Sequence, residues 1–315
     1  MMKKRVIFMG TPEFAVPALE ALLDEGYNVV AAYTQPDKEA GRGRHVALSP
    51  VKELALSRGL AVVQPETLKD RSVVAHIADA KPDLIVVAAY GRIITSEILA
   101  LPEFGCVNIH PSLLPRYRGP SPIASAILRG DDVTGVTIMV MNKGMDTGPV
   151  LTQSTVSVAA EDTAGSLTMK LAGVGARLLI ETLPQWFAGI IKPQPQDESR
   201  ATYTRVIAKE DGKMDWNLTA LELWRCVRAY DPWPGCYTWW RERRLKVIEA
   251  IPLPGGKSEE KGKVVALLAE AKTAVGVQTR DGILGLVKLQ LEGKRAMSAG
   301  EFIRGQRDFV GSLLL

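Results

Sequence analysis

The run Leu84-Ile85-Val86-Val87-Ala88, apolar at every position, limits the possible folds of this chain more than any other feature. A strand with one wet face alternates apolar and polar residues. One that is apolar throughout is covered on both faces, as in a parallel sheet with crossover helices on either side. The flanking sequence repeats this grammar. Val6–Gly10 reads as a short buried strand, and Phe14–Glu25 as a helix with Phe14, Leu19, Leu22 and Leu23 on its apolar positions and Gly26 at its end. Asn28–Tyr33 is a further strand. Pro50–Arg58 is a helix with Ser49 as N-cap, Pro50 at the first helical position and Gly59 just past its end. Ala61–Val63 is extended, Asp70–Ala80 helical, and Cys106–His110 continues the strands before a helix at Ile123–Arg129 and a strand at Thr134–Met141. Repeated strand–helix units predict an α/β fold, a doubly wound and mostly parallel sheet with right-handed crossovers.

Ligands of such sheets bind outside the carboxyl ends of the strands. Four loops are therefore singled out: Gly10–Glu13, Ala89–Arg92, His110–Pro120 and Asn142–Gly148. The first argues against a dinucleotide. A nicotinamide or flavin site wants G-x-G-x-x-G there, so that the backbone can approach the pyrophosphate, and the chain has Gly10-Thr11-Pro12-Glu13-Phe14-Ala15.

After a helix over Ser166–Phe187 the pattern changes. Ile190–Tyr203 contains Pro193, Pro195 and Asp197-Glu198-Ser199 with little apolar periodicity, and reads as a linker. A helix near Leu218–Ala229 precedes short runs at Leu245–Ile251, Lys263–Leu268, Ala274–Thr279 and Ile283–Leu291, separated by Gly-containing turns. Evenly spaced short strands without helices between them predict a small antiparallel β-barrel. With 315 residues the chain has room for two domains. The expected division is 1–189, a linker over 190–205, and 206–315. The net charge of +4 resides in the last part, where residues 206–315 carry 18 Lys+Arg against 14 Asp+Glu while residues 1–205 balance. Such an excess suits a phosphate backbone, although a solvated surface produces it too.

No stretch is long and apolar enough to span a bilayer, and the apolar run after Lys3-Lys4-Arg5 stops at Gly10-Thr11-Pro12-Glu13, too soon for an export signal. A cytoplasmic protein is expected. Three widely spaced cysteines, Cys106, Cys226 and Cys236, support neither a disulfide framework nor a metal site.

Only three histidines are available for catalysis. His45 lies in a basic loop and His76 inside a helix, where a structural role is the better reading. His110 ends a buried strand at the ligand edge of the sheet. Asn108 sits two residues earlier, and strand alternation points both side chains the same way. An amide donor beside an imidazole is what the oxyanion of an acyl transfer requires. The bland alternative is a strand-end histidine bonded to a carbonyl. Asp146, in Lys143-Gly144-Met145-Asp146-Thr147-Gly148, would stabilise protonated His110 or relay a proton if its loop comes alongside, though Asp before Thr-Gly is also common in plain turns. No Ser or Cys nucleophile stands beside a base, which favours direct transfer without a covalent enzyme intermediate.

Asn108-x-His110, followed by Ser112-Leu113-Leu114-Pro115-Arg116-Tyr117-Arg118-Gly119 and by Asp146 in Met145-Asp146-Thr147-Gly148, resembles the tetrahydrofolate-dependent formyltransferases. The resemblance implies a catalytic trio at Asn108, His110 and Asp146, folate binding by Ser112, Leu113, Leu114 and Pro115, and a pterin border at Ala89, Tyr90, Gly91 and Met141–Gly144. It implies 10-formyltetrahydrofolate as formyl donor and no metal. The trio identifies the chemistry and leaves the acceptor open, since the family also formylates glycinamide ribonucleotide and nucleotide-linked amino sugars.

Other segments resemble the branch of the family that acts on methionyl-initiator tRNA. They are Met9–Ala15, Thr34-Gln35-Pro36-Asp37-Lys38 with Gly41-Arg42-Gly43-Arg44, Arg228-Ala229-Tyr230-Asp231-Pro232-Trp233-Pro234, Asp281–Leu284 and Lys294–Ser298. The match runs almost from end to end. It implies that Lys38, Arg42 and Arg44 contact the acceptor stem of the tRNA, that the C-terminal part is an OB-like tRNA-binding barrel with Arg241-x-Arg243-Arg244-x-Lys246 against the backbone, and that the protein is a monomer in the translation-initiation pathway. Glu39 departs from the more basic loops of that branch. The rival readings are a formyltransferase acting on an amino-sugar nucleotide and an RNA-binding module without catalysis. The second would have no need of the trio.

Overall fold

The computed structural model describes residues 4–40, 45–255, 259–267 and 273–315. These residues form two compact units, the first made of Met1–Pro122, Val133–Ser157 and Thr168–Thr204, the second of Ile123–Asp132, Val158–Leu167 and Arg205–Leu315.

The first unit opens with β1 (Arg5–Gly10), α1 (Val16–Asp24) and β2 (Asn28–Tyr33), then the hairpin strands β3 (Lys38–Ala40) and β4 (His45–Ala47). There follow α2 (Pro50–Ser57), β5 (Val62–Val63), α3 (Arg71–Asp79), β6 (Leu84–Ala88), the short α4 (Ser96–Leu99) and β7 (Cys106–His110). Helix α5 (Pro122–Arg129) precedes β8 (Val133–Val140) and β9 (Val150–Ser157), and α6 (Ala164–Phe187) follows them. The strands form one sheet in the order β5-β2-β1-β6-β7-β8-β9. The first five are parallel, and β8 and β9 are antiparallel additions at one edge. Every residue of β6 and β7 is buried, as continuous apolar sequence requires of a strand covered on both faces. On one face Ile7, Met9, Ile85 and Val87 join Ile77 of α3 and Ile98 of α4 in a single cluster. Against β7 lies α6, and Gly175 permits the approach: a Cβ there would come within 2.8 Å of Ile109 Cγ2.

Local caps agree with the sequence. Ser49 accepts from the Lys52 N–H and Asp70 from the Ser72 N–H, each satisfying a helix-terminal donor. His76 is structural, its Nδ1 lying 2.9 Å from the Tyr33 hydroxyl.

One expectation about the sheet is overturned. Thr134–Met141 was expected to extend the parallel series and to deliver the loop Asn142–Gly148 at the carboxyl edge. Instead β8 runs antiparallel to β7, with Val140 opposite Val107 and Thr137 opposite His110. The connection before β8 holds one short helix, α5, and Ile123–Asp132, which includes all of it but Pro122, groups with the second unit. A tight antiparallel return through β9 follows, in which exposed residues alternate with half-buried ones, as for a strand with one open face.

The second unit contains α7 (Ala220–Ala229), β10 (Cys236–Trp240), β11 (Arg243–Leu253), β12 (Val264–Ala266), β13 (Val275–Gln278), β14 (Ile283–Leu291), β15 (Met297–Ser298) and α8 (Ala299–Gly305). It is an antiparallel curled half-barrel in the order β10-β11-β14-β13-β12, with β15 on β14. The open edges are joined by Gly311–Leu315. Leu315 exchanges two backbone hydrogen bonds with Trp239 on β10, while Val264 of β12 bonds to Gly311 and Ser312. A segment paired to both edge strands removes the unsatisfied backbone that a half-barrel would leave. Trp240, Phe302 and Phe309 pack edge to face beneath it, with centroids 4.9 to 5.8 Å apart.

Candidate active site

Asn108 and His110 lie two residues apart on β7, both almost fully buried, opposite Met139 and Thr137 of β8. His110 Nε2 is 3.0 Å from the carbonyl oxygen of Tyr117, an acceptor only, so Nε2 carries the proton and donates it. The tautomer leaves Nδ1 facing Asp146 Oδ2 at 3.7 Å. Tyr117 reaches this position with φ of 61°, a left-handed conformation that a bulky residue adopts only under constraint. Burial holds the His110 pKa below its ordinary 6.5, opposed by the Asp146 charge and by the Tyr117 carbonyl. Among the described residues the Asn108 side-chain amide has no hydrogen-bond partner, which leaves its donors for an incoming oxygen.

Asp146 reaches His110 although its loop starts from the far end of β8. Its backbone is left-handed, with φ of 52°, which Asp tolerates better than most residues, and its Oδ2 accepts from the Gly119 N–H at 2.7 Å. His110 and Asp146 therefore meet, with Asn108 two residues from His110 on β7, but by a turn that folds back and not by neighbouring strand ends.

The loop Ser112–Pro115 follows His110 directly and is pinned from β8 and β9. Thr137 Oγ1 donates to the Ser112 carbonyl (2.6 Å) and accepts from the Leu114 N–H (3.1 Å). Gln153 Nε2 donates to Thr137 Oγ1 (2.8 Å) and to the Leu114 carbonyl (2.9 Å). Every hydrogen-bonding position of the buried Thr137 hydroxyl is thereby used. Ser112 Oγ donates to the Arg116 carbonyl, and the Leu114–Pro115 peptide is cis. Leu113 lies over Gly135, where a Cβ would come within 2.5 Å of its side chain and 2.2 Å of the Ser154 carbonyl. Thr137 and Gln153 were not singled out in the sequence. Their trace there is slight: Thr137 is one of two threonines in a largely apolar strand, and Gln153 is one polar residue of an alternating one.

Ala89, Tyr90 and Gly91 form the turn after β6, with φ of 44° at Ala89 and 76° at Gly91. The Tyr90 carbonyl accepts from Gln35 Nε2 (2.9 Å) and Thr11 Oγ1 (3.2 Å), tying together the loops after β1, β2 and β6. The Tyr90 ring belongs to the core cluster with Tyr33 and Ile85, so it is turned away from the surface on which Ala89 is exposed. Of the residues expected to meet tRNA, Arg42 and Arg44 lie outside the described residues, and Lys38 is described only as backbone, in β3. Among the described residues no group of His, Cys, Asp and Glu side chains is arranged to hold a metal, and no helix is long and apolar enough to cross a membrane.

A sequence model of the formyl transferase family matches residues 2–183, and one of the formyl transferase C-terminal domain matches residues 206–307. The chain is 48% identical over 307 residues to the methionyl-tRNA formyltransferase of Roseiflexus castenholzii, covering 97% of each chain. It is 45% identical to that of Dehalococcoides mccartyi, covering 99% of this chain and 98% of the relative. Among solved structures, the sugar 3N-formyl transferase WlaRD has a TM-score of 0.65 at 19% identity, covering 94% of this chain and 100% of that one. HypX from Aquifex aeolicus in complex with tetrahydrofolic acid has a TM-score of 0.62 at 20% identity, covering 98% of this chain and 48% of that one. At these identities the structures speak for the fold alone.

Proposed function

The chain belongs to the formyltransferase family, and we infer that it transfers the formyl group of 10-formyltetrahydrofolate to the free α-amine of methionyl-initiator tRNA. One observation carries the chemistry: a buried imidazole with Nδ1 turned to a carboxylate, on the same strand as an amide donor, Asn108, that has no partner among the described residues. The acceptor follows from likeness across both domains, because relatives named for methionyl-tRNA align over the C-terminal domain as well.

In this reading the donor brings an activated formyl carbon, and the residues manage charge and protons around it. As the amine adds, the formyl oxygen gains negative charge and takes a hydrogen bond from Asn108 Nδ2. Nδ1 of neutral His110 takes the amine proton, and the Asp146 carboxylate stabilises the imidazolium. The same proton passes to N10 as the carbon–N10 bond breaks, which returns His110 to its starting form and leaves formyl-methionyl-tRNA and tetrahydrofolate. The Ser112–Pro115 loop and the backbone of Ala89–Gly91 hold the folate. Arg42, Arg44 and Lys38 meet the acceptor stem. On the half-barrel, Arg243 and Lys246 are exposed toward the tRNA backbone, Arg244 stacks on Tyr237 at 3.8 Å, and Arg241 is paired with Asp308. Domain limits of 1–189 and 206–315 serve this division of labour. A single chain supplies the trio and the loops, so a monomer in the cytoplasm, where initiation occurs, suffices.

The deciding assay offers 10-formyltetrahydrofolate with either methionyl-tRNA or a nucleotide-linked amino sugar. Formyl-methionyl-tRNA is the expected product. Formylation of the sugar nucleotide alone would overturn the choice of acceptor while leaving the chemistry intact.

A further inference from the structure

The segment that reads as a linker enters the active site. Gln196 Nε2 donates to two backbone carbonyls of the loop that carries the catalytic carboxylate, Asp146 and Gly148, at 2.7 Å each. Its own Oε1 accepts from Arg118 Nε at 3.0 Å and Nη2 at 2.9 Å. Arg118 is fully buried. It forms a two-pronged pair with the Glu198 carboxylate, Nη1 at 2.8 Å and Nη2 at 2.7 Å, and Nη1 also donates to the Tyr203 hydroxyl at 3.0 Å. The main chain reinforces the clasp: Arg118 N–H donates to the Thr202 carbonyl and Thr204 N–H to the Arg118 carbonyl, both at 2.8 Å.

Arg118 and Gly119 thus reach Asp146 by two routes. Gly119 N–H holds the carboxylate directly, and Arg118, through Gln196, holds the backbone on either side of Thr147. A left-handed residue in a loop that folds back from the far end of its strand persists only when its surroundings over-determine it. Gln196 is suited to that task because one amide offers two donors to carbonyls two residues apart while its oxygen answers a guanidinium. Glutamate lacks the donors, and asparagine is one methylene short.

We propose that Gln196 is a positioning residue for formyl transfer: anchored on the buried Arg118–Glu198 pair, it holds residues 146–148 so that the Asp146 carboxylate stays turned toward His110. The proposal rests on the reading of Asp146 as part of the catalytic trio.

The test compares Gln196→Leu, Gln196→Glu and Asp146→Asn in the full chain, with methionyl-tRNA and 10-formyltetrahydrofolate as substrates. It reads kcat, both KM values, the pH dependence of kcat, and thermal unfolding. Both Gln196 variants are expected to lose about a hundredfold in kcat, as a reacting group displaced by roughly an ångström does, with both KM values within about twofold of wild type. Their acid limb should also move to lower pH, because a carboxylate turned away from His110 no longer favours its proton. Gln196→Glu keeps the acceptor for Arg118, so it reports even if Gln196→Leu does not fold. Wild-type kcat and an unmoved pH profile in the Gln196 variants, with Asp146→Asn inactive, would remove the role of Gln196 and leave that of Asp146 standing. A fall in kcat that only tracks lost folded protein, with an unmoved profile, would also overturn it. An active Asp146→Asn takes down the catalytic reading itself.

Discussion

At the scale of single residues the site depends on which atoms are already engaged. His110 Nε2 is committed to the Tyr117 carbonyl, which leaves Nδ1 as its open nitrogen, and Asn108 has no side-chain partner among the described residues. Removing one oxyanion donor costs about a hundredfold or more in rate. Asn108→Ala is therefore expected to lower kcat by at least that much with the fold and the donor KM retained, measured by steady-state formyl transfer. The pH dependence has a definite sign. In the proposed mechanism His110 acts as a base in its neutral form, and burial favours that form, so activity is expected to be complete above the ordinary value of 6.5 and lost only as pH falls through the lower folded pKa. A kcat profile whose acid limb lies above 6.5 would contradict this assignment. Asn108 and His110 were legible in the sequence because strand alternation is a local rule. Gln196 was not, because its partners at 118, 146 and 148 are brought to it by the fold and nothing in Gln194-Pro195-Gln196 announces them.

At the scale of elements, β7 offers the pair, and β8 and β9 hold the loop that follows it. The Thr137 hydroxyl is the meeting point, with three hydrogen bonds inside the protein and no exposure. Thr137→Val keeps the shape and removes the oxygen, stranding the Leu114 N–H and the Ser112 carbonyl at a cost of about 1–3 kcal/mol per unsatisfied group. The loop then loses its register before the sheet does. A raised KM for 10-formyltetrahydrofolate with a smaller change in the KM for tRNA is expected, and equal effects on both would argue against folate contact by Ser112–Pro115. The parallel strands and their helices were readable from composition and caps. The antiparallel direction of β8 was not, since the strand is apolar nearly throughout and hydrophobicity carries no sense of direction.

At the scale of the whole molecule, the C-terminal unit couples stability to its last residues. Leu314 is buried, and its N–H donates to the Gly262 carbonyl beside the Gly311–Leu315 segment that joins the barrel edges. Leu314→Ala is expected to cost about 2–5 kcal/mol, read by denaturant unfolding, while folate binding by the first unit stays unchanged. The positive excess of residues 206–315 predicts that the KM for tRNA rises steeply with salt while the KM for the folate donor does not. A flat response would return Arg243 and Lys246 to an ordinary solvated face. By itself the sequence determined the two fold types, the strand that bears Asn108 and His110, and the family, because local periodicity, capping and contiguous motifs survive in one dimension. Only the tertiary structure decided the direction of β8, the closure of the barrel by Gly311–Leu315, the fold-back that brings Asp146 to His110, and the grip of Arg118 and Gln196 upon it. Each of these joins residues distant along the chain, and hydrogen bonds between such residues exist only once burial has excluded water and fixed the partners in space.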